Sequence, residues 1–248
     1  HEYPLSGRPP MMTHVFADDT GRRIIAAKGA PEAILTCSGM SAEEQRTVQA
    51  QVDALAAQGY RVLAVGLTLH EGTAYPATQQ ELCTSYLGLV AFHDPPKANM
   101  ADVFNSFHQA GIRTVIITGD NATTTQAVAR AVGFGITGEV MDGEAVRSLS
   151  EEQLDAVVRT SNCYTRMFPE AKLRVVNALK AQGHIVAMTG DGVNDGPALK
   201  AADIGVAMGQ RGSELAKEAA ALVLMDDDLG RMVDAVAAGR RIYSNLKK

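Results

Sequence analysis

Apolar positions follow two rhythms along the chain, and the change falls at the His93-Asp-Pro-Pro96 stretch. Before it, short alternating runs predict strands over 12–17 and 23–27, separated by an Asp-Asp-Thr-Gly turn at 18–21. A helix is predicted from Pro31 to Cys37. Ser41 and Glu44 form a capping box that opens a longer helix to about Gln58, with Val48, Val52 and Leu55 at helical spacing. Gly59 ends that helix, and strands come next over 61–69 and 87–92. Two successive prolines stiffen the chain and forbid helix, so the boundary between the two parts is placed there, giving 1–93 and 94–248.

After the prolines, helix and strand patterns alternate. Helices are predicted over 99–110, 123–132, 150–159, 170–181, 195–201, 213–219 and 229–238. Strands are predicted over 113–117, 162–166, 184–189, 203–207 and 221–225. Alternation of this kind implies an α/β fold with a parallel, doubly wound sheet. Neither solenoid-type repeats nor low-complexity tracts interrupt it.

Composition narrows the function classes. With 248 residues, 46% of them hydrophobic, the chain can bury one large or two modest cores. A net charge of −5 with scattered basic residues argues against nucleic-acid binding. Cys37, Cys83 and Cys163 are odd in number and lack Cys-x-x-Cys spacing, which disfavours a disulfide framework or a zinc site and suits a reducing compartment. No apolar run approaches the ~18–20 residues that cross a bilayer, so the chain is not expected to transport ions unaided.

The chemistry concentrates where strands end. Ile185 to Asp195 is an apolar strand running into Thr189-Gly-Asp191-Gly-Val-Asn194-Asp195. A buried parallel strand delivers the residues after it to the carboxyl edge of the sheet, where ligands bind. Gly190 and Gly192 permit a tight bend. Asp191 and Asp195 offer hard oxygen ligands of the type Mg²⁺ prefers. Taken alone, an Asp-Gly turn with a helix cap explains such a segment equally well. A second copy shifts the balance: Thr118-Gly119-Asp120 ends another strand, with a helix after it, so the Thr118 hydroxyl and Gly119 amide can face an anion. Between the copies, Arg166-Met-Phe-Pro169-Glu-Ala-Lys172 opens a helix at a first-turn proline, bringing Lys172 to the same edge as a phosphate counter-charge.

Thr118-Gly119-Asp120, Pro169-x-x-Lys172 and Thr189 to Asp195 resemble, in order, the later motifs of the haloacid-dehalogenase superfamily. The stretches Asp94-Pro-Pro-Lys97, Thr189 to Gly209 and Gly239 to Lys247 resemble one branch of it, the P-type cation-transporting ATPases, with the calcium-pump-like subgroup nearest. Lys28-Gly-Ala-Pro-Glu32 and Gly59-Tyr-Arg-Val-Leu-Ala64 resemble nucleotide-domain motifs of the same pumps. The resemblance implies part of an α+β nucleotide-binding domain over 1–93 and a haloacid-dehalogenase-type, Rossmann-like phosphorylation domain over 94–248. It implies ATP as substrate and Mg²⁺ as cofactor. It further implies the actuator and membrane domains of one pump as partners, a transported cation carried by membrane helices, and a place on the cytoplasmic face of a membrane.

By the same resemblance, Asp191 ligates Mg²⁺, with Asp195 beside it and Asn194 shaping the loop. Lys172 pairs with the phosphoryl oxygens, and Thr118 and Gly119 bind the phosphate. Asp120 and Arg166 organise the adjoining loop and the nucleotide's phosphates or ribose. Lys28 and Gly29 form the floor of the adenine pocket, and Arg61 reaches toward the polyphosphate. Two positions depart from the pattern: Leu5 stands where the pumps carry an adenine-stacking aromatic, and Pro10 where they carry a lysine. The family's Asp-Lys-Thr-Gly-Thr motif, which bears the phosphorylated aspartate on the first strand of the phosphorylation domain, is absent. The resemblance therefore implies a pump fragment that lacks a central strand, is inactive alone and is poorly stable. A soluble phosphatase of the same superfamily, or a non-catalytic nucleotide-binding module, are the alternative readings.

Overall fold

The computed structural model describes every residue except 8, 18, 21, 71–73, 94 and 248. Asp94, on which the expected boundary falls, and Asp18 and Gly21 of the predicted turn therefore lie outside the described residues. The chain divides into two compact units, His1–Pro95 and Pro96–Lys248.

Unit 1 is an antiparallel sheet of five strands in sequential order: β1 (Glu2–Ser6), β2 (Met11–Ala17), β3 (Arg23–Gly29), β4 (Arg61–His70) and β5 (Ser85–Phe92). Between β3 and β4 come α1 (Pro31–Thr36) and α2 (Ala42–Ala57). Side chains alternate across the pleat. Ile25, Ala27 and Gly29 of β3 and Val62, Ala64 and Gly66 of β4 are buried. Ala27 and Ala64 pack against Ile34 of α1, and Val62 against Val48 and Val52 of α2. The α2 capping box forms as its sequence predicts, with Ser41 Oγ accepting from the Glu44 amide and Glu44 Oε2 accepting from the Ser41 amide.

Buried Gln79, in a 3₁₀ turn, holds the first hairpin. Its Nε2 donates to the carbonyls of Met11 and Pro4 and to Ser6 Oγ, while its Oε1 accepts from Thr13. Neither β1 nor this turn is evident in the hydrophobic pattern: Pro4 interrupts the run, and β1 is an edge strand, where proline is tolerated.

Unit 2 alternates helices with parallel strands: α3 (Met100–Gln109), β6 (Ile116–Ile117), α4 (Ala122–Ala131), β7 (Met141–Asp142), α5 (Gly143–Ser148), α6 (Glu151–Thr160), β8 (Cys163–Thr165), α7 (Pro169–Ala181), β9 (Ala187–Gly190), α8 (Gly196–Ala201), β10 (Ile204–Met208), α9 (Glu214–Ala219), β11 (Leu222–Leu224) and α10 (Gly230–Leu246). Every strand pairing is parallel, as expected, but the strands form two three-stranded sheets, ordered β6-β8-β7 and β11-β10-β9. Helix α7 serves both: Val175 and Leu179 pack into the first core and Val176 into the second. Among the described residues, β6 and β9 each pair on one side only.

Several bounds differ from the sequence reading. β6 and β9 are shorter than predicted because residues 113–115 and 184–186 have no ladder partner, and Ile185 stays 79% exposed. β7 and α5 escape the sequence reading, being too short for periodicity to register. α10 runs eight residues beyond its predicted end at 238, because an exposed Gly239 costs a helix only about 1 kcal/mol.

Lys97 and Asn99, at the start of unit 2, clasp the loop before α10. Lys97 Nζ donates to the Asp227 carbonyl at 2.6 Å and Asn99 Nδ2 to Asp228 Oδ1 at 2.9 Å. The Asp227 carboxylate accepts the Gln210 and Arg211 amides, each at 3.0 Å. The Gln210 amide first, then that of Arg211, holds its carboxyl below the ordinary carboxylate range. A depressed folded-state value means that this contribution is present above the unfolded value of about 4 and is lost as pH falls through the depressed one. Asp227→Asn should accordingly flatten the acid limb of the stability–pH curve of unit 2, measured by chemical denaturation between pH 5 and pH 2.

Candidate functional site

The carboxyl ends of β9 and β6 and the start of α7 carry the predicted residues of unit 2. At the end of β9, Gly190 is required for space rather than for backbone freedom: an added Cβ would lie 2.6 Å from the Asp195 Cβ. The chain turns through a 3₁₀ segment, and the Gly192 amide donates to Asp195 Oδ2 at 3.1 Å. The other oxygen, Asp195 Oδ1, accepts from Lys172 Nζ at 2.6 Å, with the two side chains only 8% and 12% exposed. A desolvated pair this close is held by its second hydrogen bonds, and losing one partner leaves an uncompensated buried charge. Asp195, one of the two expected metal ligands, is thus engaged by an ammonium and an amide. Asp191 is exposed, and its carboxylate makes no side-chain hydrogen bond among the described residues. Its carbonyl accepts the Ser213 amide at 2.8 Å, which fixes the backbone beneath it. Asn194 is exposed on the same turn.

The second strand end is built differently. The Asp120 amide donates to Thr118 Oγ1 at 3.1 Å, closing a tight local turn, and Asn121 then caps α4 through the Thr124 amide. The Met167 amide donates to the Thr118 carbonyl at 2.9 Å and the Arg166 amide to the Asp120 carbonyl at 2.8 Å. Arg166 adopts a left-handed φ of 49° to reach that register. Two residues later Phe168 stands at the N-cap of α7, so the Thr118 loop and Lys172 are anchored to one rigid piece. Nothing inside the chain demands glycine at 119, since an added Cβ would meet no atom closer than 3.9 Å.

Among the described residues, no group of three or more histidine, cysteine or acidic side chains is placed to hold a metal ion. Mg²⁺ needs fewer: it commonly takes one or two carboxylates and fills its octahedron with phosphate oxygens and water. A single unpaired carboxylate at Asp191, on the turn after β9, fits that ion with most of its ligands coming from elsewhere.

In unit 1, Lys28 lies opposite Met12 and Val65 on the exposed face of the sheet, and its ammonium has no partner among the described residues. Gly29 is buried against β2, an added Cβ meeting the Met11 Cα at 2.6 Å and the Pro10 carbonyl at 2.7 Å. Gly29→Ala should cost about 1–3 kcal/mol by overpacking backbone that cannot yield, read as a lower denaturation midpoint for unit 1. Arg61 stands on the same face, four residues before Val65 on β4 and so about 13 Å along the strand from Lys28. The two cations share a surface without touching. Sequence reasoning missed Ser213 and the Met167 amide because both act through backbone, which leaves no side-chain signature.

A sequence profile of the family described as haloacid dehalogenase-like hydrolase matches residues 40–203. The chain is 38% identical to a calcium-transporting ATPase of Bacillus subtilis, over 100% of its own length and 29% of that protein's. It is 41% identical to a probable cation-transporting ATPase F of Mycobacterium tuberculosis, over 99% of its length and 29% of the relative's. A sodium/potassium exporting P-type ATPase of Schizosaccharomyces pombe is 35% identical over 100% of this chain and 26% of its own length. The chain thus spans under a third of these relatives, whose names differ in the ion moved.

Proposed function

We propose that this chain, which belongs to the haloacid dehalogenase-like hydrolases and among them to the P-type cation-transporting ATPases, is the part of such a pump that holds ATP in its first unit and transfers the γ-phosphoryl group in its second. The observation that carries this reading is the buried Lys172–Asp195 pair at a carboxyl sheet edge, on the same turn after β9 that carries the unpaired carboxylate of Asp191. Phosphoryl transfer requires charge neutralisation and alignment more than acid–base work. Asp195 and the Gly192 amide fix Lys172 so that its ammonium faces the phosphoryl oxygens without reorganising. The Thr118 hydroxyl and Gly119 amide hold a second side of the same group, with Asp120 and Arg166 stiffening their loop. Asp191, with Asn194 shaping its turn, holds Mg²⁺, which when bound neutralises further phosphate charge.

The acceptor aspartate is carried by a strand from outside these residues, which runs between β6 and β9 and completes one sheet. Lys28, Gly29 and Arg61 keep the nucleotide. In the complete pump the actuator and membrane domains act on this cytoplasmic region and carry the cation.

Magnesium provides the direct test. With one free carboxylate, the isolated chain should bind Mg²⁺ in the millimolar range or weaker, no better than about −4 kcal/mol. Micromolar binding in a calorimetric titration would contradict the donor set described. In the full-length pump, Asp191→Asn should raise the Mg²⁺ concentration needed for labelling from ATP by about tenfold or more, while nucleotide binding without metal stays unchanged.

A further inference from the structure

We propose that the base of a bound purine nucleotide stacks on the imidazole of His14, with the ring of Phe16 supporting it from behind, so that the aromatic contact absent at Leu5 is supplied by the next strand. This rests on the reading of Lys28 as a nucleotide residue. Three observations in unit 1 carry it. The β2–β3 register sets Met12 opposite Lys28 and His14 opposite Ala26, so pleat alternation places Met12, His14, Phe16, Ala26 and Lys28 on one face, away from α1 and α2.

On that face the His14 and Phe16 rings lie nearly parallel, with centroids 6.0 Å apart and planes 19° from one another. Glu2, opposite His14 on β1, brings a carboxylate oxygen to 3.9 Å from Nδ1, and the His14 side chain keeps 35% of its surface in solvent. Phe16 is 57% exposed, a cost in water that a planar partner would relieve.

The dimensions suit a purine. His14 lies two residues from Met12, about 7 Å along the strand, and small Ala26 across from it leaves a shallow floor beside the ring. A nucleotide held by the unpartnered Lys28 ammonium thus has an aromatic surface one base-width away. Base–aromatic stacking tolerates any ring with a π face, so an imidazole can do what a phenyl group does elsewhere.

The experiment is calorimetric titration of the 248-residue chain with ATP and, separately, with inorganic tripolyphosphate, both without metal. His14→Ala should weaken ATP binding about tenfold and leave tripolyphosphate binding unchanged, and His14→Phe should restore ATP binding. Phe16→Ala should weaken ATP binding about threefold, while Leu5→Ala should change nothing. Both rings are at the surface, so far-ultraviolet circular dichroism and the denaturation midpoint of unit 1 should match the wild type. If His14→Ala binds ATP normally while Lys28→Ala weakens it, the stacking proposal is overturned and the nucleotide reading stands. If His14→Ala weakens both ligands equally, the residue acts by charge and the proposal is likewise overturned. If neither variant changes ATP binding, the nucleotide reading fails with it.

Discussion

Lys172→Ala is expected to lower phosphorylation of the full-length pump by about 10²–10³, while ATP binding falls little. Loss of one preorganised charge contact to a transferring group typically costs ~3–4 kcal/mol of transition-state stabilisation. Here the ammonium is already fixed by Asp195 at 2.6 Å, so none of that contact must be assembled during the reaction. The variant also strands a buried carboxylate, which costs about 3–5 kcal/mol of stability in its own right. A paired variant, Lys172→Met with Asp195→Asn, removes the charge without leaving its partner uncompensated, and should show the same kinetic loss with a smaller fall in denaturation midpoint. Lys28→Ala should behave in the opposite way, weakening nucleotide binding and leaving phosphorylation by inorganic phosphate nearly intact. Phosphorylation by inorganic phosphate needs no adenine contact, which makes it the deciding assay. Equal losses in both variants would sink the division of labour between the two units.

The isolated chain should form no phosphoenzyme from ATP at all, and hydrolysis should stay at background. Any acid-stable, hydroxylamine-sensitive label on these 248 residues would mean that a carboxylate present here is the acceptor. The same absence has a stability signature. Parallel sheets depend on burial of both faces and on full ladders. β6 pairs over Ile116–Ile117 alone and β9 over Ala187–Gly190, each on one side. Unit 2 should therefore melt early and broadly, while unit 1, whose sheet encloses its own core, melts later. Adding a peptide with the Asp-Lys-Thr-Gly-Thr strand should sharpen and raise the first transition, saturably and without moving the second. A single sharp, reversible transition at an ordinary midpoint would refute the incomplete-sheet account.

Local chemistry made part of this molecule legible in its sequence. The α2 capping box and the buried stripe of Val48 and Val52 on that helix come from residue type at fixed spacing. The parallel class of unit 2 comes from alternation, and the two strand ends from glycine beside aspartate. The features that escaped depend on partners distant in the chain. The Lys172–Asp195 pair joins residues 23 apart through a turn whose shape no periodicity records. That pair, with the Gly192 amide, engages both oxygens of Asp195, which its place in the sequence alone does not reveal. The division of one expected sheet into two was legible only through the absent motif. Strand lengths at β6 and β9 are decided by whether a neighbour exists to bond them, not by their apolar runs.

The sequential order of the unit 1 sheet also bears on how the chain acquires its structure. Each of its strands pairs with the next in sequence, so its ladders can close in the order in which the strands are made, the widest loop being the one that carries α1 and α2 between β3 and β4. Among the described residues unit 2 has only parallel pairs, each bridged by a crossover, and β6 meets β8 before β7 in space. Because β8 must be made before β6 can pair, the β6 edge stays open while residues 118–162 are added. During synthesis, then, the sheet bearing Lys28 should be finished while the strands leading to Thr118 and Asp191 are still unpaired. Over that interval the newborn chain's hazard is edge-to-edge association through β6 and β9, which makes chaperone dependence a property of unit 2 rather than of unit 1.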